Sequence, residues 1–554
     1  MRAFIERGRI MSINANTTRR SFIQTSLTTA AMVGLPVALS ACGSQRASEA
    51  GSAAAGSAAS KPADVTLNYG LNEDPQALDP ALVNDFGSLE LCANLYEGLF
   101  RFKPDSVEVE PCLAESYDVS DDGLTYTFHL REGVKFHDGT DFNADAVVKN
   151  FQRQMDGNAM ENMGYAEFVF GSEESGVGVK TVEATDEHTV TCVLRAACTP
   201  FVKNLAMALG SPIVSPTALE KANGDLSKSP CGTGPFKLKS WSAGETVVLE
   251  ANTDYWDQDN LPACGQIVFR IMPESAARVT ALGNNELDVI TAVDMGSAPA
   301  VQNNGDTVVA IDGLNISALA FNTAGPLASA DLRRAVCQAI NVEELTKALY
   351  GDYADPANSF MPLVMAAYDK DVAYPEYDPD AAKAAFEAAG VSSLTLLTYT
   401  TAMQYNPAGG NAVAEGVQGY LSAIGVDVTV NAYDWTTFRT KRYSEYFDLA
   451  LSGWAGDNGD PDNFMNLFAG EDGSFVKMTG YKDAEYNDLI QKGLATPDGS
   501  ERDDIYLQCE KKLAEDLPVL PLSHAKTVCA FKPNIGNFTM NPEGWSRLTA
   551  VTKS

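Results

Sequence analysis

The residues 452–464, Ser-Gly-Trp-Ala-Gly-Asp-Asn-Gly-Asp-Pro-Asp-Asn-Phe, hold the densest set of groups able to do chemistry. A large aromatic, Trp454, precedes three carboxylates, Asp457, Asp460 and Asp462, with glycines that expose backbone dipoles. A carboxylate in a cleft lined by an aromatic side chain and backbone groups binds an ammonium group strongly, because both ions lose water when the cleft closes. A calcium loop is the competing chemistry. Asp460, Asp462 and Glu471 have the first, third and twelfth spacing of an EF-hand, but Phe464 and Met465 stand where an oxygen ligand and a glycine are needed. The spacing therefore argues against that metal site, and the loop is also compatible with a turn that only caps helices.

Little else points to catalysis. The four histidines are His129, His137, His188 and His524, and His129 and His137 fall in a strand-and-turn block suited to structure. There is no nucleophile elbow, no HExxH and no dinucleotide fingerprint. Ten cysteines include no CxxC pair and no Cys/His cluster with zinc-finger spacing. Cys192 with Cys198, and Cys509 with Cys529, are candidate disulfides in an exported protein. The expectation is a protein without metal or cofactor, and not an enzyme.

The elements that must position the loop follow an alternating order. Asp378-Pro379 opens a helix that Gly390 closes. A strand over 394–399, a helix over 411–424 ending at Gly425, a strand over 426–430, a helix over 434–443 and a strand over 447–451 come next. That order predicts a parallel sheet with right-handed crossovers, whose ligands sit beyond the carboxyl ends of the strands. Residues 452–464 lie there, as a loop. The earlier part reads as mixed sheet and helix. Strands are expected over 125–130 (continuing through Val134 and Phe136 after a Glu132-Gly133 turn), 189–194, 246–249 and 267–271, with a helix over 144–155 capped by Asn143. Gly232-Thr233-Gly234-Pro235-Phe236 is loop chemistry without the Lys-Ser/Thr of a phosphate cradle.

At the N-terminus, Arg19-Arg20 precedes an uncharged apolar stretch that ends in Leu39-Ser40-Ala41-Cys42. This is the pattern of an export signal rather than a membrane span. The twin arginine resembles a Tat signal, and Leu-Ser-Ala-Cys resembles a lipobox, which implies lipidation of Cys42. Residues 43–61, rich in Gly, Ser and Ala, read as a flexible tether spanning about 25 Å. Roughly 490 residues remain, more than one core usually serves, so two lobes are expected. The net charge of -33 is spread along the chain. It favours a soluble surface and argues against nucleic acid or anionic lipid as partners.

Several separated motifs together resemble the peptide-binding extracytoplasmic proteins of ABC importers (family 5). They are Glu115-Ser116-Tyr117 with the block from Asp121 to Gly139, Gly232 to Phe236, Asn252 to Trp256, Phe321-Asn322-Thr323 with Asp331 to Ala335, Tyr377-Asp378-Pro379 to Gly390, and the Trp454 loop. The loop looks most like the dipeptide- and oligopeptide-binding branch, with Ala455 its one departure. The resemblance implies an α/β, two-lobed periplasmic-binding-protein-like fold of class II, cluster C type, with the ligand cleft between the lobes. Lobe I would comprise 62–312 and 521–554, with an extra subdomain over roughly 96–205, and lobe II 313–520. A hinge is expected near Val309 to Ile316 and Leu517 to Leu522.

The resemblance also implies a monomer, tied to the membrane by Cys42, that delivers a short peptide to permease subunits. Asp457 would bind the ligand's α-ammonium group, Trp454, Ala455 and Gly456 would line the pocket, and Asn84 would reach in from the first lobe. Met403, Gln404 and Tyr405 form a third patch, in which Met403 replaces the arginine that clamps a dipeptide's carboxylate in the family. Met offers no charge and no fork of donors, so a longer peptide or an amine-bearing ligand stays open. Two alternatives are the same fold binding a sugar, opine-like amine, haem or metal chelate, and an extracellular peptidase or glycosidase.

Overall fold

The computed structural model of the protein describes residues 63–156 and 164–554; Cys42 and the tether lie outside them. Two sheets share one long strand. In the first, Ala63–Leu71 pairs parallel with Cys264–Ile271, which pairs antiparallel with Thr246–Ala251, and that with Phe236–Ser242. In the second, Ser393–Tyr399 is flanked in parallel by Asp427–Tyr433 and Leu449–Ala455, and Asn315–Phe321 runs antiparallel beside the latter. Val519–Phe531 serves both. Its residues 519–523 pair with Asn315–Phe321, and its residues 526–531 pair with Thr307–Asp312.

The apolar cores keep these sheets apart. One buried cluster draws only on residues between Leu314 and Leu522, and includes Phe321, Leu396, Leu449 and Phe464. The others draw on residues before 312 and after 527. The chain thus passes between lobes at residues 312–315 and 523–526. The second crossing lies a few residues beyond Leu517–Leu522, because the shared strand continues unbroken past Leu522. A separate five-stranded antiparallel sheet, running from Ala114–Val119 through Thr125–Leu130, Thr189–Leu194 and Val177–Asp186 to Gly171–Ser172, packs on the helix Ala144–Met155.

Local sequence explains most of these elements. Asp378 accepts from the backbone N–H of Ala381, Pro379 takes the first turn, and Gly390 ends the helix at φ 66°. Asn143 caps the helix Ala144–Met155 through the N–H of Ala146. In Thr125–Leu130 the residues Tyr126, Phe128 and Leu130 face the core. Val134 and Phe136, however, do not continue that strand. Gly133 turns at φ 75°, and Phe136 and Phe142 close a tight loop through the carbonyls of Thr140 and Val134.

The nine cysteines among the described residues are all unpaired. Cys192 lies buried within the strand Thr189–Leu194, whereas Cys198 follows in a loop. Cys509 and Cys529 belong to different lobes, the first in the second lobe's core and the second opposite Val309. Neither expected disulfide is present.

The family-like motifs Gly232–Phe236 and Asn252–Trp256 meet at one buried carboxylate. Glu97 accepts from Thr233 Oγ1 (2.8 Å), Tyr255 Oη (2.7 Å) and Trp256 Nε1 (2.7 Å). Gly232 and Gly234 are glycines for want of room. A Cβ at either would meet the Leu95 carbonyl group at 2.4 or 2.6 Å. His137 is structural too, with Nε2 on the Gly234 carbonyl at 2.9 Å.

Two carboxyls deep in the lobes, Glu90 and Glu510, are pushed by burial from 4.5 up to about 8. Between those values the folded protein holds protons that the unfolded chain has released. The stability these groups contribute is therefore present at acid pH and lost as pH rises through about 8. We expect Glu510→Gln to flatten the fall in melting temperature between about pH 5 and about pH 9, followed by scanning calorimetry. Parallel wild-type and variant curves would contradict the assignment.

Candidate functional site

The strand Leu449–Ala455 carries Ser452 to Ala455 as ladder residues, paired with Asn315–Ala318. Only from Gly456 onward does the chain form a loop, so the expected loop starts later than the sequence suggested, because pairing persists to Ala455. Gly456 is required by close packing. A Cβ there would lie 2.6 Å from the Phe464 ring and 2.8 Å from Leu314.

The loop's polar residues divide their work. Asp460, fully buried, takes a bidentate pair from Arg502 (2.6 and 2.8 Å) and a third contact from Lys203 Nζ at 3.0 Å. These cations hold its carboxyl below the usual range against its burial. Asp462 accepts from Tyr506 Oη at 3.2 Å, and burial beside Asp460 pushes it up to about 7. Asn463 Oδ1 accepts from Trp454 Nε1 (2.8 Å) and from the Asp457 backbone N–H (3.3 Å). With its oxygens spent on Arg502 and Lys203, Asp460 has nothing to offer calcium. No group of acidic, Cys and His residues suited to a metal occurs among the described residues.

Asp457 differs from its neighbours. It has no cationic partner among the described residues, and it accepts one hydrogen bond from Tyr165 Oη at 2.9 Å. Burial raises its carboxyl above the ordinary range, opposed by the bonds from Tyr165 and Asn463. It borders a cavity of about 160 Å³ between the lobes, room for roughly one benzene-sized group. Of the residues the sequence nominates, Asn84, Gln404, Ala455, Gly456 and Asp457 line this cavity together.

The other three do not line it. Trp454 packs against the second lobe's core with its indole tied to Asn463. Met403 packs on the same core in a turn closed by two backbone bonds to Asn406. Tyr405 is buried beneath the strand, and a Cβ on Gly453 would lie 2.3 Å from its ring. Sequence reasoning missed Tyr165, Asp85 and Glu543, which add the remaining polar groups to a wall otherwise made by Phe86, Leu89 and residues 207–209. Glu543 follows Asn541-Pro542 near the C-terminus, and burial together with the Asp457 charge raises its carboxyl to about 8.

The lobes meet around this cavity. Besides Tyr165 and Asp457, Lys203 reaches Asp460, Asn458 Nδ2 donates to Asn204 Oδ1 (2.6 Å), Thr199 Oγ1 donates to the Thr496 carbonyl (2.9 Å), and Gln404 donates to the Glu543 carbonyl (3.2 Å). Two lobes joined by two crossings, with polar contacts closing over a small cavity, define a clamshell binding protein.

The chain belongs to the bacterial extracellular solute-binding proteins of family 5, whose middle-region model matches residues 108–475. Di/tripeptide-binding protein 2 of Pseudomonas aeruginosa (strain UCBPP-PA14) is 32% identical over 508 residues, covering 88% of this chain and 95% of its own. Among solved structures, HbpA2 from Haemophilus parasuis superposes with a TM-score of 0.80 at 27% identity, covering 88% of this chain and all of that one. DppA from Helicobacter pylori in complex with the peptide STSA does so with a TM-score of 0.72 at 30% identity, covering 88% and 98%.

Replacing Asp460 by Ala removes the bidentate partner of the buried Arg502 guanidinium and leaves it only the half-exposed Asp498 at 2.8 Å. The expected cost is about 3–5 kcal/mol, read as a lower midpoint in chemical denaturation. A midpoint within error of wild type would mean that the pair does not hold the loop.

Proposed function

We propose that the protein is the substrate-binding component of an ABC importer, that it captures short peptides, and that Asp457 pairs with the ligand's α-ammonium group. The observation that carries this reading is Asp457 itself, a partly desolvated carboxylate on a cavity between lobes with no cation of its own. Bringing an ammonium group there replaces the lost hydration of the carboxylate with a charge-assisted bond. The dipeptide- and peptide-binding names of the relatives support a peptide as ligand. The two lobes would open and close about the crossings at residues 312–315 and 523–526. Asn84, Gln404 and the backbone of Ala455 and Gly456 would meet the ligand's polar atoms, some through water. Trp454, Met403 and Tyr405 would act from behind, by fixing the strand and turn that carry Ala455 and Gln404.

The protein would bind without turnover, as a monomer outside the cytoplasm, held to the membrane by a lipid on Cys42, and would hand its ligand to permease subunits. Residues 43–61 would let the body turn between capture and delivery.

Asp457→Ala is expected to weaken dipeptide binding by about two orders of magnitude or more, measured by titration calorimetry, with little change in melting temperature. Binding by the wild type should also weaken as pH falls through the raised titration of Asp457, since the protonated carboxyl carries no charge to pair. Equal affinity of variant and wild type for every dipeptide that binds would refute the role of Asp457.

The anchor has its own test. Cys42→Ser should move the protein from the membrane pellet to the soluble fraction of expressing cells, without altering the affinity of the purified body. Retention in the pellet would rule out lipidation at Cys42.

A further inference from the structure

The cavity that Asp457 borders carries three acidic residues. Asp85 and Glu543 line it as well, and among the described residues no Lys, Arg or His does. Asp85 Oδ1 caps the helix Phe86–Leu95 by accepting from the Ser88 N–H at 2.9 Å, but its Oδ2 is sealed from solvent and has no partner among the described residues. Glu543 is in the same position. Its Oε2 accepts from Trp545 Nε1 at 2.7 Å, while Oε1 is sealed and has no partner among the described residues.

Buried polar atoms are nearly always bonded, and an orphaned carboxylate oxygen is costly. Two of them, on residues that line one cavity, mark places where a donor is due, and no described residue supplies one. The groups acting on Glu543 are the Trp545 indole and the Asp457 carboxylate, which repels it. A single α-ammonium on Asp457 would leave the second oxygens of Glu543 and Asp85 without a partner. Met403, where the family resemblance expects an arginine, adds no cation to the opposite wall.

Building on the peptide reading above, we propose that this cavity selects ligands with two positive charges at one end, namely peptides whose first residue is basic, with the α-ammonium on Asp457 and the side-chain cation on Glu543. The Asp85 oxygen provides a further acceptor on the same wall. A neutral or acidic first side chain would leave the Glu543 oxygen unpaired or repelled, so the preference arises as much from rejection as from attraction.

Calorimetric titration of the full-length protein and of Glu543→Gln with Lys-Ala, Ala-Lys, Ala-Ala and 1,5-diaminopentane tests this. In the wild type, Lys-Ala should bind at least about tenfold tighter than Ala-Ala or Ala-Lys, the gain of one buried charge pair. Glu543→Gln should abolish that margin, bringing Lys-Ala and Ala-Ala to within about twofold of each other. Equal binding of Lys-Ala and Ala-Ala by the wild type would overturn the proposal and leave the peptide reading intact. So would a variant that loses affinity for both equally. Binding of the diamine alone, lost in Glu543→Gln, would uphold the two-cation pocket and overturn peptides as its ligands. No binding by any of the four would overturn both.

Discussion

The contact on which the site rests is the buried carboxylate of Asp460. Arg502 grips it from within its own lobe and Lys203 reaches it from the other. A buried carboxylate is tolerable only when paired this fully, and the pairing fixes the backbone three residues after Asp457. Asn463, one helical turn further on, ties that same stretch to Trp454. Asp457 is thus held without spending its own charge. The loop carries three acidic residues so that one may remain uncommitted.

That arrangement also decides what closure means. Apart from Lys203 on the buried Asp460, the polar contacts between lobes are single uncharged or partly exposed hydrogen bonds, so closure rests on their number. Tyr165 stands at the centre of this balance. Its hydroxyl donates to Asp457, so under the proposed function an arriving ammonium group would share the carboxylate with it or displace it. A ligand would then be exchanged for an internal hydrogen bond, which would moderate affinity and help release.

Local features were well written in the chain. Asp378, Pro379 and Gly390 mark a helix by capping chemistry that needs no tertiary context, and the alternation of Tyr126, Phe128 and Leu130 shows one buried face. The acidic loop was legible as a site because so many oxygens beside a tryptophan have few uses. The loop's own residues did not say which carboxylate stays free, since that depends on Arg502 and Lys203 folding back from distant helices; the family resemblance alone singled out Asp457. Glu543, Tyr165 and Asp85 were invisible for the same reason; each looks ordinary in its own segment. Tyr405 and Trp454 misled in the opposite sense, because an aromatic beside a site is as useful beneath a strand as on its surface. The Gly232–Phe236 motif, prominent in the chain, serves close packing around Glu97 and lies away from the cavity.

The strand Val519–Phe531 has a consequence for how the chain comes to be folded. Both sheets wait for it, and the segment after it supplies Trp545, Leu548 and Val551 to the first lobe's interior. On a ribosome, neither half can finish while the last residues are still being added, so long stretches with open strand edges must persist until synthesis ends. In a chain built in this way, a truncation that removed the shared strand would damage both halves at once.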